Sequence, residues 1–193
     1  MNGRIQYAHA QALTSETTPM PGSDLSSRLG RFRQDFREIG RSATRGELAW
    51  LLSRARELDL TDEAIHDERA EILAALDAID FADRIAREGL PQIASGERLK
   101  SQRSHFMIPV RFGRRRSDQC GHLELTSQSL RFHGALDLSV VWSEVIRVER
   151  LGREIDVSLA DSTRTLRFCC ETLTDAARGT VVAQTLAGGP VAC

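Results

Sequence analysis

The hydrophobic period of this chain changes once, from 3.6 to 2, across residues 91–96. A buried helix face repeats every three or four residues and a half-buried strand every second one. The chain therefore reads as a helical unit followed by a β unit. In the first part, Leu25, Leu29, Phe32, Phe36 and Ile39 make one apolar stripe, which predicts an amphipathic helix from Ser23 that Gly40 can stop. Thr44 and Glu47 have the spacing of a capping box, ahead of Leu48, Leu51, Leu52, Ala55 and Leu58 on a second helix. Thr61 is expected to cap a third, with Asp62 and Glu63 at its positive end. Ile65, Ile72, Leu76 and Ile79 mark its buried face, and Gly89 and Pro91 end it. Residues 23–90 are thus expected to form a three-helix unit. Residues 1–22, rich in Ser, Thr, Pro and Gly, are expected to form a flexible tail.

Beyond the change of period, Phe106, Ile108, Val110 and Phe112 alternate with His105, Met107, Pro109 and Arg111. Leu123 and Leu125, then Leu130 and Phe132, then Leu136, Leu138 and Val140 continue the alternation, with Gly134 as a break. Ile146 and Val148 predict a fifth strand, Ile155, Val157 and Leu159 a sixth, and Leu166, Phe168 and Cys170 a seventh. Short strands joined by tight turns predict an antiparallel barrel or sandwich. A last helix is expected from Thr174 and Asp175, through Ala176, Val181 and Leu186, to Gly188. The fold class is α+β: three helices, then a seven-stranded antiparallel barrel over 97–188 capped by a C-terminal helix.

Composition narrows the function. Of 193 residues, 41% are hydrophobic and 27% charged, as in an ordinary globular chain. A net charge of −1 gives no overall field toward nucleic acid or an anionic membrane. No apolar run is long enough to span a bilayer, and the first 25 residues lack a signal-peptide stretch, so a cytoplasmic location is expected. Cys120, Cys169, Cys170 and Cys193 contain no C-x-x-C pair, and neighbours on a strand point to opposite faces, so all four read as small buried hydrophobes. Trp142 is expected to close one end of the barrel and Trp50 to seal the helical unit. Nucleotide-binding, zinc-protease, hydrolase and calcium-loop motifs are missing. The expectation is a chain that is no enzyme and needs no cofactor or metal.

The stretch Gly121-His122-Leu123-Glu124-Leu125-Thr126, then Leu130-Arg131-Phe132-His133-Gly134, resembles the GRAM-type and bacterial PH-like pattern. Trp142-Ser143-Glu144-Val145-Ile146-Arg147-Val148-Glu149 resembles the segment entering strand five of the same group. The resemblance covers about half the chain. It implies a PH-like superfold that binds phosphoinositides, phospholipids, peptides or partner domains and is rarely catalytic.

The candidate ligand-binding residues are Arg111, Arg114, Arg115 and Arg116 at the end of strand one and in the loop after it, with His122, Arg131 and His133 on the same face by strand parity. Guanidinium forks suit phosphate oxygens. Glu124, however, stands where the lipid-binding signature needs a cation. Acidic residues on the third helix argue against DNA. The basic first helix, carrying Arg28, Arg31, Arg33, Arg37 and Arg41, is expected to pair with the acidic third helix or with a second copy; a membrane-surface helix, which Phe32 and Phe36 fit and Asp35 and Glu38 weaken, is the alternative. Three readings of partner follow: a protein or peptide, preferred; anionic phospholipid held by the arginine loop, the alternative, with a peripheral place at the inner membrane surface; and a homodimer through the helical unit.

Overall fold

The computed structural model describes residues 21–39, 43–93, 103–113, 119–161 and 165–188. Arg114, Arg115, Arg116 and most of the expected tail lie outside them. The first helix, α1 (Pro21–Ile39), takes in the last two residues expected in the tail, since a proline suits a first helical turn. It is followed by α2 (Arg45–Glu57) and α3 (His66–Glu88). Thr44 caps α2: its hydroxyl accepts the Glu47 N–H at 3.3 Å, and its own N–H donates to the Glu47 carboxylate at 2.7 Å. Thr61 does not cap α3. Its hydroxyl accepts the Ala64 N–H at 3.3 Å and closes a turn, and the helix begins only at His66. Gly89, at φ 82°, ends it. Phe32, Leu48, Leu51, Ala55, Ile65 and Ile72 form the core of this unit. Trp50 does not seal it: the side chain is on the outer face of α2 and is 44% exposed.

The second part holds seven strands: β1 (Ser104–Phe112), β2 (Gln119–Thr126), β3 (Ser129–Gly134), β4 (Leu138–Val141), β5 (Val145–Leu151), β6 (Glu154–Leu159) and β7 (Thr165–Cys170). A 3₁₀ turn, Trp142–Glu144, joins β4 to β5, and α4 (Leu173–Leu186) follows β7. The sheet order is β4-β3-β2-β1-β7-β6-β5, with every pairing antiparallel, so β4 and β5 are the edges. This is the PH-like α+β arrangement. Ile108, Leu123, Leu125, Phe132, Ile155 and Phe168 fill the interior, and Ala176, Val182 and Ala183 of α4 pack on them. Trp142 closes one end, donating its indole N–H to the Thr126 carbonyl at 2.9 Å.

Two glycines explain part of the sequence pattern. Gly121 and Gly134 face each other across β2 and β3, and the Phe132 ring lies over both. A Cβ on Gly121 would come within 2.2 Å of the His133 carbonyl oxygen. Gly179 similarly lets α4 approach the sheet, where a Cβ would meet Ile155 Cδ1 at 2.8 Å.

Thr174 and Asp175 fall in the first turn of α4 as expected, and Thr172 is its N-cap, the hydroxyl accepting the Asp175 N–H at 3.0 Å. Two sequence expectations shift. Leu136 lies before β4 and is 51% exposed. Ile146 does not alternate inward with Val148. A bulge between Val145 and Arg147 adds a residue, breaks the parity of β5 and leaves Ile146 69% exposed.

The helical unit docks on the barrel through α3. Ala74 and Ala78 meet Ala177 and Val181 of α4, small side chains that permit close helix approach. Around them Arg178 grips Asp77 with two bonds of 2.7 Å and lies 5.5 Å from the centre of the Phe81 ring. Arg150 donates to Glu71 at 2.7 Å. The basic helix also meets the acidic one, through Arg33 and Glu68 at 2.6 Å.

Candidate functional site

Two surfaces compete for the role of binding site. The first is the outer face of β1, β2 and β3, where the sequence placed its candidates. The register bears out the parity: Pro109, His122 and His133 lie in one row, Met107, Glu124 and Arg131 in the next, and Arg111 stands opposite Cys120 and Cys169. His122 and His133 are direct neighbours, and Arg111 is diagonal to them. The chemistry they form is not that of an anion cradle. His133 Nε2 is 2.9 Å from a Glu124 carboxylate oxygen, and the Glu124 side chain is only 11% exposed. A phosphate approaching this row meets a shielded carboxylate at its centre. Arg131 donates to the Ser129 hydroxyl at 3.2 Å. Arg111 donates to the Cys169 sulfur at 3.6 Å and has no carboxylate partner among the described residues.

The histidines do not converge on a metal. His105 is buried, with Nδ1 2.7 Å from the Pro91 carbonyl oxygen, and no group of three metal-ligating side chains occurs among the described residues. The thiols divide. Burial pushes the Cys170 thiol up to about 12, with Asp175 and Cys169 adding to the shift, so it is inert at neutral pH. Cys120 is exposed, against the expectation of burial, because its strand parity turns it outward beside Arg111.

The second surface was not singled out from the sequence. A cleft of about 710 Å³ runs between the helical unit and the barrel. One wall is β5, from Ile146 to Arg150; the second is α4, with Ala177, Val181 and Gln184; the third is the chain's own helices, with Phe36, Ile72, Ala75 and Ala78. The volume is that of an ordinary ligand pocket, and the lining is mostly apolar with a few polar groups. Its charged groups are largely paired: Arg150 with Glu71 at 2.7 Å, and Arg147 with Glu149 at 2.6 Å. Arg37, on the α1 side, donates through Nε to the Arg33 carbonyl at 3.0 Å and has no carboxylate partner among the described residues.

What distinguishes this cleft is its floor. Among the described residues β5 pairs only with β6, so its second side carries no strand there, and main-chain groups on a sheet edge are a template for another strand. Sequence reasoning missed the site because it depends on docking between the two halves and on the bulge that turns Ile146 outward. The one available signal was the opposite charge of the halves: residues 1–100 hold 14 basic and 17 acidic side chains, and the remainder 12 and 10.

Strand order and register together give a PH-like barrel with a helical unit docked against it. No protein-family model and no curated protein matches the chain. Among solved structures it is similar to the C-terminal domain of an unknown protein from Leishmania infantum, at 16% identity over 44% of this chain and 85% of that one, with a TM-score of 0.37. It is also similar to the DH/PH domains of p115-RhoGEF, at 12% identity over 84% and 54%, TM-score 0.39. A complex of PDZ-RhoGEF DH/PH domains with activated RhoA gives 10% identity over 86% and 54%, TM-score 0.41. The chain thus spans about half the length of the DH/PH structures. These scores lie below 0.5, and the fold assignment rests on the strand order and register.

Proposed function

We propose that this chain is a non-catalytic PH-like recognition module that takes an extended segment of a protein partner along β5, in the cleft closed by α4 and α3. The observation that carries this reading is an open edge strand lying beside an apolar cleft. Main-chain bonding to β5 supplies affinity, and alternate side chains entering the cleft supply selectivity. The GRAM-like motif at residues 121–134 belongs to this reading as a structural signature, since its glycines make room for Phe132.

The anionic-lipid reading draws on Arg111, which lacks a carboxylate partner among the described residues, and on the adjoining Arg114, Arg115 and Arg116. It has Glu124 against it. Panning the full chain against random dodecapeptides displayed on phage separates the two. Peptides are expected to be selected whose binding Ile146→Asp abolishes and Arg111→Glu leaves unchanged. Peptides that ignore Ile146→Asp, or a selection that yields none, would overturn the cleft reading.

A further inference from the structure

Gln184 holds an unusual place in the cleft. Its Nε2 donates to the Val148 main-chain carbonyl at 2.9 Å, while its Oε1 is buried with no hydrogen-bond partner among the described residues. Because β5 has, among the described residues, β6 on one side only, the Val148 carbonyl is where an added strand would place its N–H. Building on the reading that a partner segment lies along β5, we propose that Gln184 is a displaceable stand-in for that segment's main chain, and that the segment carries a carboxylate for Arg37.

A primary amide offers the same N–H donor as a peptide group, so in the free protein it satisfies an edge carbonyl that would otherwise be bare. It does so at the expense of its own oxygen, and an uncompensated buried acceptor is unfavourable relative to a hydrated one. When a strand arrives, its N–H takes the Val148 carbonyl and Gln184 turns into water, where both ends of the amide are bonded. The exchange replaces one hydrogen bond with another and relieves the orphaned oxygen. The choice of a carboxylate follows from the pairing within the cleft. Arg147 and Arg150 are neutralised by Glu149 and Glu71, whereas Arg37 has no carboxylate partner among the described residues, so the mouth is left with a surplus positive charge. The occupant is therefore an extended segment, apolar at alternate positions, with an Asp or Glu near its α1 end.

The test uses the dodecapeptide that wins the phage selection, labelled with a fluorophore and titrated against the full chain. Gln184→Ala is expected to bind it 3- to 10-fold more tightly than wild type, and Arg37→Glu about 10-fold more weakly, with melting temperatures unchanged. Gln184→Met, which keeps the length and loses the amide, is expected to shift affinity in the same direction and serves if the alanine variant fails to fold. Equal or weaker binding by both Gln184 variants overturns the cap, and binding indifferent to Arg37→Glu overturns the carboxylate. Either result leaves the cleft reading standing if Ile146→Asp still abolishes binding. A dimer of the chain that Ile146→Asp dissociates would make a second copy the occupant and overturn the partner segment.

Discussion

Replacing Gly121 by alanine adds one methyl group to the β2–β3 ladder, and the structure sets its cost. The new Cβ would lie 2.2 Å from the His133 carbonyl oxygen and 2.7 Å from two Phe132 ring atoms. The oxygen is main chain and cannot rotate away. The ring is fully buried and lies 5.2 Å, centre to centre, from Phe112. Relief therefore requires β2 and β3 to separate where Gly121 pairs with Gly134. Overpacking a tight core costs about 1–3 kcal/mol, and a main-chain clash belongs at the upper end. Gly30→Ala is the matched control. Gly30 sits inside α1 with nothing within 4 Å of its Cβ position, so the same methyl should stabilise the helix by about 0.5–1 kcal/mol. In urea denaturation followed by circular dichroism, Gly121→Ala should lower the midpoint strongly and Gly30→Ala should raise it slightly. A Gly121→Ala protein as stable as wild type would refute the packing ascribed to the β2–β3 pair, and with it the structural reading of the 121–134 motif.

Four further outcomes are expected. Removing Asp77 and Arg178 singly and together should give a coupling of about 1 kcal/mol, as for a well-formed but partly exposed ion pair; additive effects would mean that the pair does not hold α3 to α4. The Thr44 N–H, then its hydroxyl, hold the Glu47 carboxyl below its ordinary 4.5. Its folded value being the lower one, the capping-box contribution is complete above 4.5 and disappears as pH falls through the folded value, so Glu47→Gln should flatten that part of a stability–pH curve. Alkylation of the native protein at pH 8, mapped by peptide mass, should modify Cys120 and spare Cys170. On anionic liposomes, wild type and an Arg111→Glu, Arg114→Glu, Arg115→Glu variant should float equally poorly; flotation of wild type alone would restore the lipid reading.

The parts of the fold legible in the sequence are those fixed by local pattern. Thr44 and Glu47 announce a cap because both bonding partners lie within one turn. Ile108, Val110 and Leu123 announce strands because period 2 survives any tertiary context that buries one face. Thr61 misled because its hydroxyl serves a turn as readily as a helix. Ile146 misled because a bulge reverses parity without a sequence marker. The candidate site was less legible still. Arg111, His122, Arg131 and His133 share a face as predicted, yet Glu124 engages His133 there. The cleft brings Arg37, Ile146 and Gln184 together from α1, β5 and α4, and no spacing within the chain records that meeting.

The central claim concerns where a partner chain lies. The most direct measurement is amide chemical-shift mapping of the full chain with the phage-selected dodecapeptide. The account predicts perturbations and slowed hydrogen exchange concentrated at Ile146, Val148 and Arg150, with a change in the Gln184 side-chain amide. Perturbations confined to Arg111, His122 and His133, with β5 silent, would contradict it.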